Sequence, residues 1–80
     1  MNSLIDYVYE ELDDICKKYN FTMKSKDNIF VLYVNSLTPI NIELIGNSII
    51  LKHENVEKTL STENFYSEIK NYIFSDNQRN

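Results

Sequence analysis

The chain has no tryptophan, one glycine, one proline, one cysteine and one histidine. Each scarcity removes a class of function. A single cysteine, Cys16, excludes an intramolecular disulfide and any Cys-rich zinc or iron–sulfur ligand set. The fold must stand on packing alone, which suits a reducing compartment. The lone histidine, His53, has no positional link to a serine, cysteine or carboxylate that would suggest a triad. One glycine cannot build a glycine-rich phosphate loop. No apolar run approaches the ~18–20 residues of a membrane span. The first turns carry Asp6, Glu10 and Glu11 and no arginine. They read as neither a secretory signal nor an organelle presequence.

What remains is an acidic, aromatic-rich chain of one domain's length, 1–80. Its eighty residues include 12 acids against 8 Lys and Arg, a formal charge of −4. A chain this short buries roughly 60% of its unfolded surface, so its core is small. The hydrophobic fraction of 42%, with six tyrosines and four phenylalanines, is that of a folded protein. The negative charge argues against neutralising nucleic-acid phosphates. It permits cation binding or contact with a basic protein surface.

Helical periodicity opens the chain. At about 100° per residue, Leu4, Ile15, Val8, Tyr19, Leu12, Ile5, Cys16 and Tyr9 share one arc over residues 4–19. Asp6, Glu10, Asp13, Asp14 and Glu11 share the opposite arc. Ser3 suits the N-cap, Lys17 and Lys18 suit the last turn, and Asn20 suits a left-handed stop.

Short alternating segments follow. Residues 21–24 read as a strand with Phe21 and Met23 on one face, and residues 25–28 as a turn. Residues 29–34 are apolar on both faces, as in a central strand. Residues 35–39 read as a loop and residues 40–45 as a strand. Gly46-Asn47 reads as a two-residue hairpin turn. Residues 48–53 return, Glu54-Asn55 turn again, and residues 56–60 form a last, more polar strand.

A second helix is expected from a Ser61 cap to about Ser75. Its apolar arc is Phe65, Tyr66, Ile69, Tyr72 and Ile73, and residues 76–80 read as a disordered polar tail. The order is α-β-β-β-β-β-α with short connections. That favours an α+β two-layer sandwich, an antiparallel meander with both terminal helices on one face.

The acids of the first helix are the leading candidate site. Asp6 and Glu10 stand four apart, as do Glu10 and Asp14, and each like-charge pair costs an isolated helix roughly 0.2–0.5 kcal/mol. Lys17 and Lys18 are placed to offset Asp13 and Asp14, whereas Asp6 and Glu10 have no such offset. Uncompensated acids suit a hard cation or a basic partner. The plainer reading is a solvated helix face. Cys16 lies on the apolar arc and reads as a buried, inert thiol. His53 reads as a surface residue at a strand end. Tyr7, off the arc and beside acids, hints at a protein interface. The uncovered sheet face, with Asn41 and Glu43, is the second candidate.

The pattern resembles the frataxin family, small acidic proteins of iron–sulfur cluster assembly. Glu10-Glu11-Leu12-Asp13-Asp14 is similar to the acid-rich end of that family's first helix. Ile40-Asn41-Ile42-Glu43 lies where the family has an Ile-Asn-x-Gln strand. Ile49-Ile50-Leu51 lies where it has Ile-Trp-Leu, with Ile50 at the tryptophan. The resemblance implies weak ferrous iron binding at an exposed ridge of Asp6, Glu10, Glu11, Asp13 and Asp14. It also implies docking on a cysteine desulfurase and its iron–sulfur scaffold protein through Glu10, Asp13, Asn41 and Ile50. The location implied is cytoplasmic or in a mitochondrion-derived organelle.

The residues alone keep a second function open. This is a small acidic interaction module, of the viral or phage inhibitor type, that mimics nucleic acid or caps a basic site. Neither reading expects direct nucleic-acid binding, membrane association or enzymatic activity, since no nucleophile–base pair is visible in the sequence.

Overall fold

The computed structural model describes residues 3–34 and 38–79, with side chains as far as residue 74. The architecture is α1(Leu4–Tyr19), β1(Thr22–Lys26), β2(Ile29–Tyr33), β3(Ile40–Ile45), β4(Ser48–His53), β5(Val56–Leu60) and α2(Phe65–Arg79). The five strands form one antiparallel sheet in the order of the sequence. Both helices cover the same face, and among the described residues nothing covers the other. This is the expected α+β sandwich.

Local chemistry explains the elements. Ser3 Oγ accepts from the Asp6 amide at 3.2 Å and caps α1. Asn20 ends the helix in the left-handed region, φ 64°, its amide returning to the Cys16 carbonyl. Three meander connections are two-residue turns whose first residue has a positive φ: Asp27 (56°), Gly46 (61°) and Glu54 (56°). That backbone hand matches the twist of the strands it joins.

The core takes alternate residues from each strand. Phe30, Leu32, Ile40, Ile42, Ile49 and Leu51 are fully or almost fully buried beneath Val8, Leu12 and Ile15 of α1 and Phe65, Ile69 and Ile73 of α2. Each such side chain contributes roughly 1.5–3 kcal/mol of burial.

Several expected boundaries shift. β1 runs to Lys26, and the turn is Asp27-Asn28 rather than 25–28. An edge strand with one face to solvent carries polar residues, so Ser25 and Lys26 looked like turn residues. Asn28 instead serves the ladder: its carbonyl accepts from the Leu44 amide at 2.9 Å, and its side-chain amide donates to the Leu44 carbonyl. Of the expected loop at 35–39, residues 35–37 lie outside the described residues.

α2 begins at Phe65, not directly after Ser61. Ser61 Oγ accepts from the Asn64 amide at 3.3 Å, and Glu68 Oε1 accepts from the Ser61 amide at 2.7 Å. Both caps therefore operate across a preliminary turn. The helix continues to Arg79, past the expected stop near Ser75. Residues 65–79 contain no glycine or proline, and the polar residues there each cost only a few tenths of a kcal/mol of helix propensity, about 0.7 at most. Residue 80 lies outside the described residues.

Candidate functional site

The buried arc of α1 is rotated from the one read on a helical wheel. α1 packs against α2 as well as the sheet, so its contact surface turns toward α2. Tyr9, expected in the core, is 45% exposed and overhangs the edge of the sheet. Tyr7, expected outside, is half-buried. Its hydroxyl donates to the Thr62 carbonyl at 2.8 Å and its ring lies 6.3 Å from that of Phe65. Burial, and then the charge of Glu11, raise its pKa. Tyr7 is therefore an interhelical contact rather than an interface residue.

The five acids meet different fates on this frame. Asp6, Glu10 and Asp14 are exposed, and Glu11 and Asp13 half-buried. Asp13 Oδ2 pairs with Lys17 Nζ at 3.0 Å. Asp14 accepts a hydrogen bond from the Tyr66 hydroxyl of α2, which raises the tyrosine's pKa more than desolvation or nearby charge does. Glu11 lies on the flank near Tyr7 and Tyr66. Asp6 and Glu10, one turn apart, enter no ion pair among the described residues. Nor, among those residues, do three His, Cys, Asp or Glu side chains converge closely enough to hold a metal ion. Carboxylates met singly or in pairs hold a hard cation only weakly.

Asn41 and Ile50 lie on the other side of the molecule. On the open sheet face Asn41 stands opposite Lys52, and Glu43 opposite Ile50. Asn41 and Ile50 are thus diagonal neighbours, and Lys52 Nζ crosses to Glu43 Oε1 at 3.0 Å on the other diagonal. Hydrogen bonding to Glu43, and its charge, raise the Lys52 pKa. The structure brings Asn41 and Ile50 together and separates them from the helical acids by the thickness of the sandwich. One flat partner surface cannot touch both groups.

The sequence reading missed His53. It is 4% exposed, not a surface residue. Its Nε2 lies 2.9 Å from Thr38 Oγ1 and its Nδ1 2.6 Å from the Tyr72 hydroxyl, while Thr38 Oγ1 donates to Glu54 Oε2 at 2.9 Å. The proton directions follow. Thr38 has one hydroxyl proton and gives it to Glu54, so it accepts from His53 Nε2–H. In the tautomer that carries its proton on Nε2, Nδ1 is bare and accepts from Tyr72. The chain runs Tyr72 to His53 to Thr38 to Glu54. The imidazole withdraws no proton from Thr38, so this hydroxyl–imidazole pair is not arranged as a nucleophile and its base. It ties α2, the β4–β5 turn and the approach to β3 together. The signal for it was present: Ile49, Leu51 and His53 alternate onto one face.

Cys16 is buried, as expected, and burial, with the charge of Asp13, pushes its thiol up to about 11. No helix among the described residues is long and apolar enough to cross a membrane. No protein-family model, no curated protein and no solved structure matches the chain.

Proposed function

We propose that the protein is a small, non-catalytic interaction module whose acidic α1 face docks on a basic surface of a partner protein. One observation carries this reading. Asp6 and Glu10 project from one exposed helix face and enter no ion pair among the described residues, on a helix whose other side is locked into the core. A rigid element presenting unpaired charge supports fast, salt-sensitive association. A reducing intracellular compartment suits the single buried thiol.

The test is capture of partners from lysate at low and high salt, with the native chain beside an Asp6→Asn, Glu10→Lys variant. The native chain should retain a basic protein that the variant loses. Equal retention by a folded variant would remove α1 from the site.

A frataxin-like role is the second reading; it rests on the resemblance of Glu10-Glu11-Leu12-Asp13-Asp14, Ile40-Asn41-Ile42-Glu43 and Ile49-Ile50-Leu51 to that family. On that reading the captured proteins are a cysteine desulfurase and its scaffold, and ferrous iron perturbs the amides of Asp6, Glu10 and Asp13. Capture of a nucleic-acid enzyme without iron dependence supports the inhibitor role.

A further inference from the structure

The free edge of the sheet at β1 is flanked by a hollow on each face. On the helix side, about 560 Å³ opens between α1 and β1, lined by residues that include Tyr9, Asp13, Cys16, Lys17, Phe21 and Met23. On the open side, about 510 Å³ is lined by residues that include Lys24, Lys26, Ile29 and Val31. Among the described residues β1 pairs only with β2, so its outer edge carries backbone groups with no described strand beside them.

Register says which groups these are. Lys26 faces Ile29 across the two-residue turn. Such a turn is closed by a hydrogen-bonded pair, and hydrogen-bonded pairs alternate along an antiparallel ladder. Lys26, Lys24 and Thr22 therefore bond to β2, while Ser25 and Met23 direct their N–H and C=O groups outward. A strand added to β1 would bond to Ser25 and Met23. Its side chains opposite those two would enter the hollow beside α1, and those opposite Lys24 and Lys26 would enter the hollow on the open face.

We propose that β1 receives an extended segment of a partner protein in which acidic and apolar residues alternate. Charge complementarity selects this occupant. Lys24 and Lys26 are exposed and enter no ion pair among the described residues, and both project onto the open face. Acids opposite them would be paired, and the apolar residues between would cover Met23 and Phe21. A second copy is the poorer fit: two β1 strands paired about their centres would set Lys24 against Lys24, a destabilising cross-strand pair. The site lies away from Asp6 and Glu10, so its success or failure is independent of the α1 reading.

The probe is an end-capped seven-residue peptide alternating glutamate and valine, with a lysine–valine peptide as control. Binding is followed by amide chemical shifts and hydrogen exchange of the full chain. The glutamate peptide should slow exchange of the Met23 and Ser25 amides, and the lysine peptide should not. Lys24→Glu with Lys26→Glu should weaken binding at least about tenfold, the effect of losing one to two well-placed charge pairs. Ser25→Pro keeps the fold, because that N–H lies outside the ladder, and should abolish binding. Absence of slowed exchange at millimolar peptide would overturn the proposal. So would binding indifferent to charge reversal, or self-association of the native chain through β1 in sedimentation.

Discussion

Replacing Tyr72 by phenylalanine tests the polar contact that joins α2 to the buried His53. The ring remains and the hydroxyl that donates to His53 Nδ1 at 2.6 Å is lost. His53 is 4% exposed, so water does not readily replace that donor. A buried acceptor left unmade costs about 1–3 kcal/mol. An eighty-residue domain has a total stability of roughly 4–12 kcal/mol, at 0.05–0.15 per residue, so this is a large share. At about 4–8 °C per kcal/mol, a loss of about 2 kcal/mol lowers Tm by roughly 8–16 °C. The assay is urea unfolding of four proteins: native, Tyr72→Phe, His53→Leu and the double variant. Removing both partners leaves no orphaned imidazole nitrogen, so the double variant should fall short of the summed single losses by about 1 kcal/mol or more. The cycle also separates this bond from any other contact of the Tyr72 hydroxyl. If Tyr72→Phe costs under about 0.5 kcal/mol, and the two changes add without coupling, the buried chain is not a structural tie.

Three further expectations concern other parts of the fold. Leu12→Ala opens a cavity at a fully buried position of α1 and should cost about 2–5 kcal/mol, measured by denaturant unfolding. Cys16 has its thiol raised from 9.0 to about 11, so between those values the unfolded chain releases a proton that the folded chain keeps. Its stabilising contribution is complete below pH 9 and is lost as pH rises toward 11. The stability gap between native and Cys16→Ala proteins should narrow across that window, and a gap independent of pH would refute it. Lys52→Ala breaks the exposed Glu43 pair and should change stability by no more than about 1 kcal/mol, with the difference vanishing in high salt.

The fold was legible because its two periodicities are clean. Val8, Leu12 and Ile15 mark a helix, while Ile40, Ile42 and Leu44 mark a strand, and short connections leave the meander as the simple solution. Errors arose where one pattern served two neighbours. Tyr7 and Tyr9 exchanged expected places because α1 has two packing partners, and a helical wheel shows only one direction of burial. β1 hid its last residues because an edge strand is polar for reasons unrelated to turns. His53 was misplaced because residue type outweighed position: alternation assigned it to the core, and the partners that make a buried imidazole acceptable lie 15 and 19 residues away. Of the candidate site, exposure of Asp6 and Glu10 could be read from spacing. The engagement of Asp14 by Tyr66 could not, since it depends on how α2 lies against α1.

Strand order identical to chain order has a consequence for how the protein is made. Each strand after β1, as it leaves the ribosome, finds a partner already synthesised immediately before it. Every hairpin can therefore close locally, on the microsecond scale of such events. The closing contacts are different. Tyr7 meets Thr62 across 55 residues, and Phe65, Ile69 and Ile73 complete a core whose other half was made first. Until α2 emerges, the nascent chain is a sheet with half its lid. A ribosome stalled before residue 65 holds a chain that cannot finish its core.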